Sequence, residues 1–293
     1  NTLASILRGG GRHALAARGV IGAWIVYPPL AWLLIEPAGM GLAGAGLAFA
    51  LTMTGAALIM AAAVMSGGAG FTPSLRAPLR RALFHRILAV GLVACVMATI
   101  ANLATILVTA RIAGHGAAAV AGYGISARME FLMIPLAFGV GSALTALAGR
   151  AVGGGDWAEA RRIAWTGGVL ALVVTGAIAI PVALFPAATA AAFTADPAVR
   201  AIATEALSII GWGMPALGFG MAFYFAGMGA GRMAYPVLAG LSRIALAVGG
   251  GWVLSDVLGY GLAGQFVAVA VGLLAYGAFC AAAVRPGVWG PGQ

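Results

Sequence analysis

Gly39-Met40-Gly41-Leu42-Ala43-Gly44 returns later in the chain as Gly259-Tyr260-Gly261-Leu262-Ala263-Gly264. The spacing of 220 holds upstream as well: Gly9, Gly11, Arg12 and Ala14 recur as Gly229, Gly231, Arg232 and Ala234, and Trp32 and Leu34 as Trp252 and Leu254. No gap is needed between Gly9 and Gly44. Internal repetition in an apolar chain is the signature of membrane transport proteins built from paired halves. The repetition is unbalanced. Residues 81–290 have room for one whole copy, whereas only the tail of the other lies before residue 80. With Asn1 at the start, the chain is expected to lack an N-terminal portion.

Composition fixes the solvent. Hydrophobic residues make up 62% of the chain and charged residues 8%, against about 25% charged in soluble domains. Mean hydropathy is +1.04. A chain of 293 residues cannot fold that much apolar surface away from water, so lipid must meet most of it. Membrane β-barrels alternate with period two, and this sequence does not. The fold class is therefore all-α, a polytopic membrane helical bundle, and 46 glycines allow its helices to approach closely.

Net charge is +9 and every basic residue is arginine. In a soluble protein this balance would suggest nucleic acid. Here the arginines sit at the ends of apolar runs, where topology explains them, and no nucleic-acid partner is expected. Cys95 and Cys280 lie within apolar runs and read as packing residues.

Eight runs reach the ~20 residues a spanning helix needs: 14–36, 42–66, 86–111, 119–148, 163–186, 198–226, 236–256 and 262–284. Their connections alternate in charge. Arg8, Arg12, Arg18, then Arg76, Arg80, Arg81, Arg86, then Arg150, Arg161, Arg162, then Arg232 and Arg285 fall on one side. Glu36, Asp196, Glu205 and Asp256 fall on the other, with Arg111 and Arg200. The positive-inside rule places the first set, and both chain ends, in the cytoplasm. Residues 67–85 form a basic cytoplasmic linker, with Thr72-Pro73 suited to start a short interfacial helix. Gly153-Gly154-Gly155 stops one helix, and Asp156 with Glu159 has capping-box spacing for the next.

Gly39-x-Gly41-x-x-Gly44 matches a dinucleotide fingerprint, but no strand precedes it. Its copy 220 residues on marks both as helix-packing turns. Within Tyr123-Gly124-Ile125-Ser126-Ala127-Arg128-Met129-Glu130, Arg128 and Glu130 fall several residues inside an apolar run. A charge at the bilayer centre costs about 2.5–3.5 kcal/mol on insertion scales. Glu130 reads either as a proton or cation site or as one half of a structural salt bridge. Arg128 is poorly placed to be its partner, because residues two apart on a helix do not face each other. Arg243 reads as a snorkelling residue at a helix end, and Asn102 and Gln265 as donors of interhelical hydrogen bonds. No Ser/His/Asp, Cys/His or paired-carboxylate arrangement has mechanistic spacing. The sequence therefore reads as a non-enzyme with no cofactor, and with no metal beyond a transported Na⁺.

The run Gly116–Glu130, then Pro135-Leu136-Ala137-Phe138-Gly139-Val140-Gly141 through Gly149-Arg150, then Gly153–Arg161, resembles the MATE (multidrug and toxic compound extrusion) family. Arg8-Gly9-Gly10-Gly11 and Gly227–Arg232 are similar to that family's paired turns. The resemblance implies twelve helices in two six-helix lobes, of which these would be helices five to twelve. Residues 1–66 would be the remnant of the N-terminal lobe, 67–85 the linker, 86–285 the complete C-terminal lobe and 286–293 a cytoplasmic tail. It implies a secondary antiporter in a prokaryotic inner membrane, exporting drugs or organic cations in exchange for Na⁺ or H⁺ as a monomer. The site would comprise Glu130, Arg128, Asn102 and Tyr123, with Gly9, Gly11, Gly229, Gly231, Gly153 and Asp156 at structural turns. A lipid-linked saccharide flippase of the same superfamily, and a membrane scaffold that transports nothing, are the alternatives.

Overall fold

A computed structural model describes residues 2–9, 12–67, 70–74 and 81–290. Gly11, and the linker residues Arg76 and Arg80 where the interfacial helix was expected, lie outside them. The chain divides into two compact units, 1–81 and 82–293.

In the first unit α1 (Thr2–Gly9), α2 (His13–Ile35) and α3 (Gly41–Met65) pack on one another. In the second, α4 (Arg81–Ala113), α5 (Ala117–Gly153) and α6 (Trp157–Leu184) lead to the short α7 (Pro186–Phe193). Then come α8 (Pro197–Ile210), α9 (Met214–Ala230), α10 (Ala234–Ile244) and α11 (Gly261–Ala283). Helix α10 runs on through two wide π-helical stretches, Ala245–Gly250 and Val253–Val257. Among the described residues six helices are long and apolar enough to cross a membrane, or seven if α8 and α9, bent by 52° at their junction, form one span. The span expected at 86–111 falls in α4, whose described apolar stretch is Ala98–Ala113.

The repeated hexapeptide folds the same way twice. Gly39 and Gly41 have φ of +61° and +52°, and Gly259 and Gly261 have +76° and +56°. Met40 N–H donates to Leu34 O at 3.1 Å, and Tyr260 N–H to Leu254 O at 3.0 Å. A Cβ on Gly44 would lie 2.7 Å from Leu34 O, and one on Gly264 2.8 Å from Leu254 O. The first glycines supply left-handed backbone and the third lets a new helix cross the end of the old one. The second repeated turn matches in the same way: Arg12 N–H donates to Leu7 O, and Arg232 N–H to Gly227 O.

Helices α5 and α9 pack through small residues. Gly141, Thr145 and Gly149 recur every four positions on α5, and the Thr145 hydroxyl donates to Phe225 O across the interface at 2.9 Å. A Cβ on Gly229 would sit 2.2 Å from Thr145 O, so this glycine serves helix contact inside α9 and Gly231, at φ +70°, makes the turn. Gly153 likewise ends α5 in helical form, and Gly155 carries the positive φ. Asp156 caps α6 through the Glu159 N–H at 2.8 Å. Gly9 closes α1.

Residues 284–290, after α11, are docked on the bundle. Trp289 is buried, the Arg161 guanidinium donates to its carbonyl at 2.7 Å, and Arg232 donates to Gly290 O at 2.8 Å. Arg232 also stacks over the Trp157 ring, and the Trp165 indole donates to Val284 O. The three hydrogen bonds satisfy carbonyls left open beyond the end of α11.

Candidate functional site

The second unit contains an open cavity of 440 Å³ lined by α4, α5, α9, α10 and α11. Its wall is apolar and aromatic: Phe131, Phe138, Tyr224, Phe225 and Tyr276 line it. Phe138 and Phe225 meet edge to face. The volume is within the range of about 300–1,000 Å³ typical of small-molecule sites.

Polar groups on that wall are few. Asn102 on α4 reaches it, but its amide donates to Ala98 O of its own helix at 2.8 Å, not across helices as expected. Arg243 on α10 is the charged lining residue. Its guanidinium is turned inward and hydrogen-bonded to the Glu130 carboxylate, and both side chains are 12% exposed. Snorkelling therefore does not describe Arg243. It is the buried partner of the intramembrane acid, a role sequence spacing could not assign because α5 and α10 meet only in the fold.

Glu130 sits on the buried face of α5, paired with Arg243 and next in sequence to the wall residue Phe131. Tyr123, two turns earlier on that face, stacks on Phe266 with the rings 10° from parallel. Ser126, one turn before Glu130, is buried with a hydroxyl that has no hydrogen-bond partner. Arg128 points elsewhere. It is exposed and makes no ion pair among the described residues. Glu130 and Tyr123 thus share the buried face of α5, Asn102 lies on the cavity wall, and Arg128 is outside the group.

A second polar cluster fastens the far end of α10. Gln265, 1% exposed, accepts from Arg111 at 3.1 Å and donates to Ala247 O in the first π stretch at 2.8 Å. Arg111 also pairs with Asp256 at 2.7 Å. Gln265 fits because position 251 is glycine: a Cβ there would lie 2.3 Å from its Oε1. The interhelical bonds expected of Gln265 are present. Cys280 is buried, as packing requires, whereas Cys95 is exposed. Among the described residues no three His, Cys, Asp or Glu side chains gather to hold a metal.

Helices long and apolar enough to cross a membrane, packed around a ligand-sized aromatic cavity, make this an integral membrane helical bundle. The MatE family profile matches residues 90–253, and the chain belongs to that family. Solved structures agree in fold. The chain is similar to a MOP superfamily transporter from Pyrococcus furiosus, described as having a binding pocket of reverse polarity that suggests a different function. That likeness has a TM-score of 0.89 at 21% identity and covers 97% of this chain and 64% of that one. It is also similar to a MATE structure in the straight conformation (TM-score 0.88, 22% identity, 97% of this chain and 64% of that chain). An outward-facing multidrug resistance MATE family transporter of the MOP superfamily gives 0.88 at 21% identity with the same coverage. The chain thus spans about two thirds of the length of these structures, 64%. No curated protein matches it significantly.

Proposed function

We propose that the protein is a secondary active antiporter. It exports an amphipathic drug or organic cation through the aromatic cavity in exchange for H⁺ or Na⁺, as a monomer in a prokaryotic inner membrane with both chain ends cytoplasmic. The observation that carries this reading is the ligand-sized aromatic cavity, with Arg243 on its wall and the carboxylate of Glu130 paired to it. An ionised pair inside a membrane bundle is costly and marks ion or substrate pathways. A scaffold would need neither the pair nor the cavity.

Glu130 would be the group whose occupancy couples ion to cargo, with the unpartnered Ser126 hydroxyl a turn away as a further oxygen donor. Ion and cargo must differ in affinity for the two transport states, because only such a difference moves the equilibrium. Glu130→Gln in proteoliposomes carrying an imposed H⁺ or Na⁺ gradient is expected to reduce ion-driven efflux of a lipophilic dye. Unchanged efflux with unchanged ion dependence would overturn the assignment.

A further inference from the structure

Arg243 lines the cavity and is hydrogen-bonded to Glu130. It is the charged residue on the wall, and its partner Glu130 is not part of the lining. Phe131, the next residue after Glu130, is on the wall. Moving the guanidinium aside would therefore open the carboxylate to a space walled by Phe131, Phe138, Tyr224, Phe225 and Tyr276. Aromatic faces attract cations, and a carboxylate at the end of an aromatic cavity completes a site for a lipophilic monovalent cation. In the structure that place is filled by the chain's own cation.

We propose that Arg243 is a tethered competitor that occupies Glu130 when the site is empty, and that a lipophilic organic cation binds by displacing it. The inference rests on the role assigned above to Glu130 and makes Arg243 the specificity-determining residue of that site. Exchange of one cation for another never leaves the carboxylate both buried and unpaired, a state that is strongly unfavourable. It also sets a threshold: a ligand without positive charge gains nothing at Glu130 and cannot release Arg243. If the displaced arrangement is populated at ~10% or less, the competitor weakens apparent cation affinity about tenfold or more.

The test is equilibrium binding of tritiated tetraphenylphosphonium to the purified protein, with neutral triphenylphosphine oxide as the shape control. Arg243→Gln removes the competitor and is expected to tighten tetraphenylphosphonium binding about tenfold or more, leaving the neutral probe unchanged. Adding Glu130→Gln should abolish the gain. Arg243→Lys keeps a cation without the guanidinium fork, should give a smaller gain, and decides the matter if Arg243→Gln does not fold. Unchanged or weaker cation binding in the folded variant, or a gain that survives in the double variant, overturns the proposal. Transport is read separately. Tighter binding without ion-driven efflux would leave the competitor standing and remove the antiporter, and efflux that depends on Glu130 with no gain at position 243 would do the reverse.

Discussion

The Glu130 carboxylate on α5 accepts a hydrogen bond from the Arg243 guanidinium on α10, and neither side chain has more than 12% of its surface exposed. Removing one partner strands the other. Glu130→Ala is expected to cost ~3–5 kcal/mol, because an uncompensated buried charge remains. Glu130→Gln keeps an acceptor oxygen and should cost less, and the neutral pair Glu130→Gln with Arg243→Gln should recover part of the loss. Melting temperatures in detergent of the parent, Glu130→Gln, Arg243→Gln and the double variant complete the cycle; additive costs would show that the two side chains do not interact.

The twin turns make a paired prediction. Gly44→Ala and Gly264→Ala each drive a methyl into a backbone carbonyl, at 2.7 Å from Leu34 O and 2.8 Å from Leu254 O. Overpacking of this kind costs about 1–3 kcal/mol. Gly46, inside α3, has nothing within 4 Å of a built Cβ. Gly46→Ala should be neutral or stabilising by up to ~1 kcal/mol. Thermal unfolding that ranks Gly46→Ala with the other two would contradict the crossing geometry.

Gln265 and Gly251 should behave as one unit. Gly251→Ala alone forces Gln265 from its place, since the new methyl would lie 2.3 Å from Oε1. Gln265→Ala alone leaves Ala247 O without its donor, at about 1–3 kcal/mol. Together they should cost less than their sum, because the small side chain at 265 makes room for the methyl at 251. A double variant as unstable as the two added would count against this packing.

Trp289 should hold the segment beyond α11 in place. Trp289→Ala is expected to cost ~3–5 kcal/mol. Arg161→Ala, which leaves Trp289 O unpaired, should make residues 284–290 more accessible to protease without unfolding the bundle. Equal cleavage rates in variant and parent would mean that the carbonyl contacts do not anchor the segment.

What sequence could reveal followed from how local each feature is. The twin turns were legible because left-handed backbone and a close helix crossing both demand glycine at fixed positions, 39, 41 and 44 and again 259, 261 and 264. Asp156 was legible because its cap lies three residues from its donor. Arg243 was misread because its partner is on a helix 113 positions away, and an arginine near a span end looks the same whether it reaches for water or for a carboxylate. The docking of Trp289 depends on guanidinium groups from α6 and from the α9–α10 turn, and composition carries no trace of that. The wide turns after Ile244 leave no mark in the sequence either.

The 220-residue repeat pairs α2 with the α10 segment, yet the two helices differ between their shared ends. Where α2 has Pro28 and Pro29 in a continuous helix, the later copy has Val248 and Gly249 in a π stretch. Ala31 and Ala45 stand where the later copy has Gly251 and Gln265. Duplication has therefore preserved the joints and released the shafts. A copy held by matching backbone bonds at both ends is free to acquire its own polar chemistry without losing its place in the fold. The division of labour between the halves of such a protein can therefore begin with substitutions in the middle of a helix, with no change of loop length or order.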